Sequence, residues 1–243
     1  VSLYIEEIKR LGIEILPPNI NYSFKNFTVE DNKIRFGLKA VKNVGDNLID
    51  VIVRARDKGP YKSLKDFVDR INALDKSALN KRAVESLIRC GAMDDFRGNR
   101  AQYLAIYEGI LSSSSNTAKN NVMGQFSLFE EADLQEDLPR LRDFPQKDKL
   151  DMEKEVIGMY ISGHPLDPYR ELIEKNSSIN TNQIFEKYRE NLLRRSKVKV
   201  GGILKSKKTM ITKTNKMMAF AALEDLFGTI ELVIFPNVYS RYK

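Results

Sequence analysis

LKAVKNVGDNLIDVIV, Leu38–Val53, is the stretch on which the reading of the chain turns. Leu38, Val41 and Val44 recur every third residue and lead into Gly45, after which Leu48, Ile49, Ile52 and Val53 continue at helical spacing. The same h-x-x-h-x-x-h-G pattern returns in VESLIRCG, where Val84, Leu87, Cys90 and Gly91 answer to Leu38, Val41, Val44 and Gly45. The second copy reaches its next helix only after DDFRGN, near Asn99. From Leu38 to about Leu111 the pattern reads as helical.

Two helices joined by a tight turn ending in glycine resemble the helix-hairpin-helix motif. In that motif backbone N–H groups and the positive end of the second helix face a nucleic-acid phosphate, and glycine allows close approach. The expected duplex-DNA contacts are Lys39, Lys42, Asn43, Val44, Gly45 and Asn47 in the first copy and Arg89, Cys90, Gly91 and Arg100 in the second. Such contacts bind backbone without reading sequence. Lys42 stands where the motif has proline and Asn43 where it has its first glycine, so Asn43 is expected to take a left-handed conformation. Asp46, directly after Gly45, opposes an anion. Packing of helices against each other remains the alternative use of both copies.

Upstream, Leu3, Ile5, Ile8 and Leu11 follow helical spacing and end on Gly12, and Pro17 and Pro18 stop regular structure. NFTVEDNKIRFGL predicts a small hairpin with Asn32 in its turn. The chain opens at Val1 directly on a helical pattern, which reads as a piece of a longer polypeptide. Among 243 residues, 42% are hydrophobic and no run approaches the roughly 18 residues of a membrane span, so no membrane association is expected. A single cysteine, Cys90, excludes an internal disulfide and fits a cytoplasmic location. Cys90 and His164, the only histidine, leave no zinc site of the usual ligand types, and Asp94–Asp95 is a paired carboxylate in a turn.

The net charge of +7 is unevenly spread. Asn191 to Lys243 carries eleven Lys/Arg against three acidic residues, while Glu130 to Glu155 carries ten acidic against five basic. Between the helical region and this acidic stretch lies SSSSNTAKNN, Ser112 to Asn121, a polar tract expected to be a mobile linker. It runs into an apolar island, in which Gln125, Phe126, Ser127, Leu128 and Phe129 fit Q-x-x-L-F. That pentapeptide resembles the motif by which bacterial proteins bind the DNA sliding clamp: Leu128 and Phe129 would enter an apolar pocket while Gln125 holds register. Beyond it a charged helix to about Ile161, a stop at Ser162-Gly163-His164-Pro165 and a helix from Asp167-Pro168 form a connector, with His164 structural.

The period then changes. Strands are expected around Val198–Ile203, Thr209–Thr214, Met217–Glu224 and Thr229–Phe235, with turns at Thr214–Lys216 and Asp225–Gly228, Pro236 ending the sheet and Tyr239 in a helix. This reads as an OB-fold barrel lacking its closing strand. Lys205, Lys207, Lys208, Lys213 and Lys216 with Phe220 could hold single-stranded nucleic acid, or form a solvated lysine face.

The order of parts resembles the bacterial C-family replicative DNA polymerases, the DNA polymerase III alpha subunits. The resemblance is carried by IEEIKRLGIEILPPNIN, FTVEDNKIRFGLKAVKNVG, LNKRAVESLIRCGAMDDF, GQFSLF, EKEVIGMYISGHPLDPY and MAFAALEDLFGTIELVIFP. It implies a multidomain α+β fold: the end of the fingers at 1–26, hairpin plus tandem helix-hairpin-helix at 27–111, a linker with the clamp peptide at 112–143, a helical connector at 144–190 and a truncated OB fold at 191–243. It implies a DNA-directed DNA polymerase, a nucleotidyltransferase, as the parent. The palm aspartates and their divalent metal (Mg) would lie elsewhere, so no catalytic residue and no cofactor is assigned to this chain. Duplex and single-stranded DNA, the sliding clamp and other replisome subunits are the implied partners. A stand-alone adaptor with helix-hairpin-helix and OB modules, and a clamp-binding repair enzyme, are the alternatives.

Overall fold

The structure, a computed structural model, describes residues 8, 11–120, 137–189 and 196–242, with backbone alone at 115–120 and 189. The chain divides into two compact units, Val1–Ser162 and Gly163–Lys243. The pentapeptide Gln125–Phe129 lies outside the described residues.

In the first unit, β1 (Ile15–Leu16) pairs in parallel with β3 (Lys33–Arg35), which pairs antiparallel with β2 (Thr28–Glu30). The hairpin expected from NFTVEDNKIRFGL is present. Asp31 and Asn32 both take positive φ, 48° and 60°, the mirror-image turn whose twist matches that of a two-stranded ribbon. Gly37 follows. A Cβ there would sit 2.5 Å from the Asn26 carbonyl carbon and 2.7 Å from the Lys25 oxygen, so only glycine lets the two segments pass.

Four helices build the body: α1 (Asp46–Ala55), α2 (Leu64–Leu74), α3 (Lys81–Arg89) and α4 (Arg100–Asn120). Ser63 and Asn80 cap α2 and α3, their side chains accepting from the Asp66 and Ala83 amides. All six apolar positions of the repeat, Leu38, Val41, Val44, Val84, Leu87 and Cys90, are buried in one core with Ile49, Ile52, Phe67 and Ile71. Burial of a side chain of that size contributes about 1.5–3 kcal/mol. Asp75, the residue that ends α2, accepts from the Ser77 hydroxyl and amide and from Asn47 Nδ2.

The helix expected to end near Leu111 continues to Asn120, through the polar tract read as a linker. Ser112 and Ser113 turn their hydroxyls back onto the carbonyls of Glu108 and Ile110, and Ser114 donates to Asp69 Oδ1 and accepts from Asn72. Serines thus satisfy themselves on the helix and tie it to α2. Helix α5 (Gln146–Ile157), read as part of a connector, packs in this unit: Val156 joins the core and its carbonyl accepts from the Lys42 amide. It ends at Ile157, four residues short of Ile161, with Gly158 at φ 90° as its cap.

In the second unit, α6 (Arg170–Asn176) and α7 (Thr181–Arg189) precede a three-stranded antiparallel sheet, β4 (Ile203–Ile211), β5 (Met217–Glu224) and β6 (Thr229–Ile234), then α8 (Pro236–Tyr242). The two strands expected before Met217 are one. Lys205–Lys208, which fell between the two expected strands, is the middle of β4, where a bulge between Leu204 and Ser206 absorbs the irregular pattern. The turns at Asn215, φ 58°, and at Asp225–Gly228 fall as expected, and the open sheet fits an incomplete OB fold. His164 has a structural setting: Nδ1 accepts from the Leu166 amide and Nε2 lies 3.5 Å from Glu224.

Gly37→Ala is expected to lower the unfolding free energy by about 1–3 kcal/mol through overpacking, read as a lower urea midpoint. Hydrogen bonds from Ser77 and then Asn47 hold the Asp75 carboxyl at about 2, below its ordinary 3.8. A depressed carboxyl stabilises the fold above its unfolded value and loses that contribution as pH falls through the folded one. The stability gap between the wild type and Asp75→Asn should therefore be open at neutral pH and close between about pH 4 and pH 2.

Candidate nucleic-acid interface

The first copy of the repeat begins as a 3-10 turn, Leu38–Ala40, rather than a full helix. Asn43 takes φ 65°, the left-handed geometry expected of it, and its Nδ2 donates to Ser86 Oγ at 3.0 Å. Gly45 then caps α1 with φ −83° and ψ 160°, an extended conformation open to any residue. A Cβ built on it meets nothing within 4 Å. There is room for Ser, Thr, Asp or Asn, which would cap the first amides of α1; glycine supplies no side-chain cap.

Two lysines meet at this helix start, and a third precedes it in sequence. Lys25 and Lys39 lie 3.0 and 3.3 Å from the Asp46 carboxylate, and Lys42 is exposed beside them in sequence. The Lys25 hydrogen bond, with that of Lys39, holds the Asp46 carboxyl below its ordinary range. One acid thus gathers two cations, so Asp46 does not leave the turn anionic. Asn47 is less available, since its amide donates to Asp75.

The second copy is built differently. Gly91 ends α3 with φ 79°, and the Ala92 and Gly91 amides return to Leu87 and Ile88 in a Schellman closure. The notch that glycine opens is filled from inside: a Cβ there would overlap the Arg100 guanidinium and come 2.8 Å from Asp94 Oδ2. Arg100, expected to meet phosphate, is 3% exposed. It donates to Asp94 (2.7 Å from Nη2), Glu153 (3.1 Å) and the Arg89 carbonyl (3.1 Å). Arg89 is paired with Glu85 and Glu155, and Cys90 is buried, its thiol pushed up to about 12 by burial. The start of α4 is closed by a reciprocal cap between Asn99 and Gln102. An arginine beside the motif glycine reads as a phosphate ligand until its partner Glu153, far along the sequence, is brought to it.

The fold supplies residues that the pattern did not mark. Asn43 faces an open cleft with Asn80, Lys81 and Arg82, the capped start of α3. The signal was present in LNKRAV: a helix cap followed by two bases and no acid in the first turn, against the preference of the helix dipole. Asp94 and Asp95 each have a partner, Arg100 and Asn19 Nδ2. Among the described residues there is no group of three or more His, Cys, Asp or Glu side chains that could hold a metal ion.

The lysines of the second unit are divided by the sheet. Residues directly paired across antiparallel strands share a face. Lys208 pairs with Phe220, which pairs with Val233, and Met210 pairs with Met218 on that same face. Lys207 pairs with Ala221 on the opposite, buried face and lies over the Tyr239 ring of α8 at 5.2 Å. Lys205 lies 3.7 Å from Glu224, and Lys213 and Lys216 sit at the β4–β5 turn. The six residues expected to act together do not form one surface.

Residues 12–103 match the family model for the helix-hairpin-helix motif. Over essentially its whole length the chain is similar to proteins named DNA polymerase III subunit alpha: 36% identical to that of Borreliella burgdorferi, 35% to that of Bacillus subtilis and 38% to that of Thermus aquaticus. It covers 99–100% of itself in these matches but 21%, 21% and 19% of the relatives, so it spans about a fifth of their length. Along its whole length, then, the chain belongs to the DNA polymerase III alpha-subunit family.

Proposed function

We propose that this chain is the DNA-holding and clamp-tethering part of a replicative DNA polymerase that extends a primer on a template in the bacterial cytoplasm. The observation that carries the duplex reading is Gly45. Among the described residues nothing requires glycine there, better-capping residues would fit, and the choice leaves the first amides of α1 without a side-chain cap beside Lys25 and Lys39, with Lys42 exposed three residues before Gly45. A phosphate oxygen supplies what the sequence withholds, accepting from those amides while the lysines neutralise its neighbours. The Asn80–Arg82 cleft extends the same grip along the backbone. The second copy, internally satisfied, holds the first in place.

Single-strand contact is assigned to the β4–β6 face bearing Lys208 and Phe220, where a base can stack beside a cation. Clamp binding rests on the Q-x-x-L-F pattern of Gln125–Phe129. Two buried apolar side chains contribute roughly 1.5–3 kcal/mol each, which suffices when the clamp and the DNA-binding unit share one DNA molecule.

Fluorescence anisotropy over a salt series tests the DNA readings. Gly45→Asp should keep or raise stability while cutting duplex affinity at least tenfold, and Lys39→Ala with Lys42→Ala should reduce the salt slope by about 1 per lysine. Lys208→Ala with Phe220→Ala should weaken single-strand binding alone; unchanged duplex affinity in Gly45→Asp would overturn the Gly45 assignment. Calorimetry against a bacterial sliding clamp should show binding that disappears in Gln125→Ala/Leu128→Ala/Phe129→Ala, and no binding by the parent chain would remove the clamp reading.

A further inference from the structure

The first turn of the repeat carries two residues that its own geometry does not favour. The Val44 amide returns to the Val41 carbonyl at 3.3 Å, Lys42 keeps a negative φ and Asn43 takes φ 65°, the pattern of a type II turn over Val41–Val44. Such a turn favours proline at its second position and glycine at its third. Proline would suit the chain before it: Val41, at φ −84° and ψ 126°, has the extended conformation of a residue that precedes one. Glycine would take the positive φ more readily than asparagine. The chain has Lys42 and Asn43 instead.

Both departures supply a hydrogen-bond donor that the favoured residue lacks, and both donors are used. The Lys42 amide, which proline would not have, donates to the Val156 carbonyl of α5 at 2.8 Å. The Asn43 side chain, which glycine would not have, donates from Nδ2 to Ser86 Oγ of α3 at 3.0 Å. Both acceptors are held in place. Ser86 is buried, and one turn before Val156 the buried Glu153 accepts from Arg100 and fastens α5. The turn that leads into Gly45 and α1 is thus tied, on consecutive residues, to two helices from distant parts of the chain. A turn selected for stability alone would use proline, whose fixed φ lowers the entropy of the unfolded chain. The two ties instead set the direction in which the backbone enters α1.

Resting on the duplex reading of Gly45, we infer that Lys42 and Asn43 are positioning residues for duplex DNA: through the Lys42–Val156 and Asn43–Ser86 hydrogen bonds they aim the first amides of α1 at a phosphate. Donation by an N–H group weakens steeply with misalignment, so a turn free to swing would lose its grip without losing any charge. Lys42 then acts twice, its ammonium by charge and its amide by position.

Two substitutions at Lys42 separate these roles. Lys42→Ala and Lys42→Pro remove the same charge, and only the second removes the amide donor. By anisotropy on a blunt duplex over a salt series, the two should share one salt slope, with Lys42→Pro about fivefold weaker at every salt concentration. Asn43→Gly and Ser86→Ala remove the other hydrogen bond from its two ends. Each should lower affinity about fivefold at the wild-type salt slope, and the double variant should lose no more than either alone. Urea midpoints check that every variant is folded under the binding conditions, where a role in stability alone would leave affinity unchanged. If Lys42→Pro does not fold, the Asn43–Ser86 cycle decides. Equal affinity of Lys42→Pro and Lys42→Ala, wild-type affinity in Asn43→Gly, or a double variant whose loss is the product of the single losses overturns the inference. Gly45→Asp, measured beside them, tells the two failures apart: if it binds duplex as tightly as the wild type, the Gly45 reading is lost and the positioning role with it.

Discussion

Arg100 is the charge around which the first unit is arranged. A guanidinium that is 3% exposed must be paired, and its partners come from three places in the sequence: Asp94 in the preceding loop, the Arg89 carbonyl at the end of α3 and Glu153 on α5. Glu153, 1% exposed, uses its other oxygen to accept from the amides of Ile161 and Ser162. Removing Arg100 would leave Glu153 buried without its cation, a cost of about 3–5 kcal/mol. The interaction thus fixes where α5 lies, and through the Val156 carbonyl it fixes the backbone of Lys42 in the first turn.

The same interaction distinguishes the two copies of the repeat. Each has three buried apolar residues and a glycine, but in the second an internal arginine and aspartate occupy the notch, and a cap closes the following helix. In the first, the glycine is flanked by space and lysines. Two segments with one pattern therefore divide the work: one packs, and the other offers its amides outward.

Much of this was legible in the sequence where the cause is local. Asp31 and Asn32 can take positive φ, so the hairpin was readable; Asn43 tolerates the left-handed region, so its turn was too. The apolar spacing located the core positions of both copies. What escaped depends on distant partners. Nothing near Arg100 reveals Glu153, and its basic character beside a motif glycine points the wrong way. The polar tract after Leu111 has a coil-like composition, and its helix rests on Ser114 meeting Asp69 and Asn72 of α2. Strand β4 is exposed along nearly all its length, so it lacks the alternation by which strands are recognised, and the separation of Lys207 from Lys208 follows from register alone.

The return of the chain after residue 136 has a consequence for its covalent continuity. Leu138 packs against the core, the Pro139 and Leu141 carbonyls accept from Gln102 and Asn99, and α5 is held by the Arg100–Glu153 pair and the Lys42 amide. Both flanks of residues 121–136 are thereby secured to one body by contacts that do not pass through them. A protease that cut once in that interval would separate two polypeptides on a denaturing gel, yet leave a single particle in native solution. The first unit is held together by its packing, and the peptide bonds between α4 and α5 are dispensable to it once folding is complete.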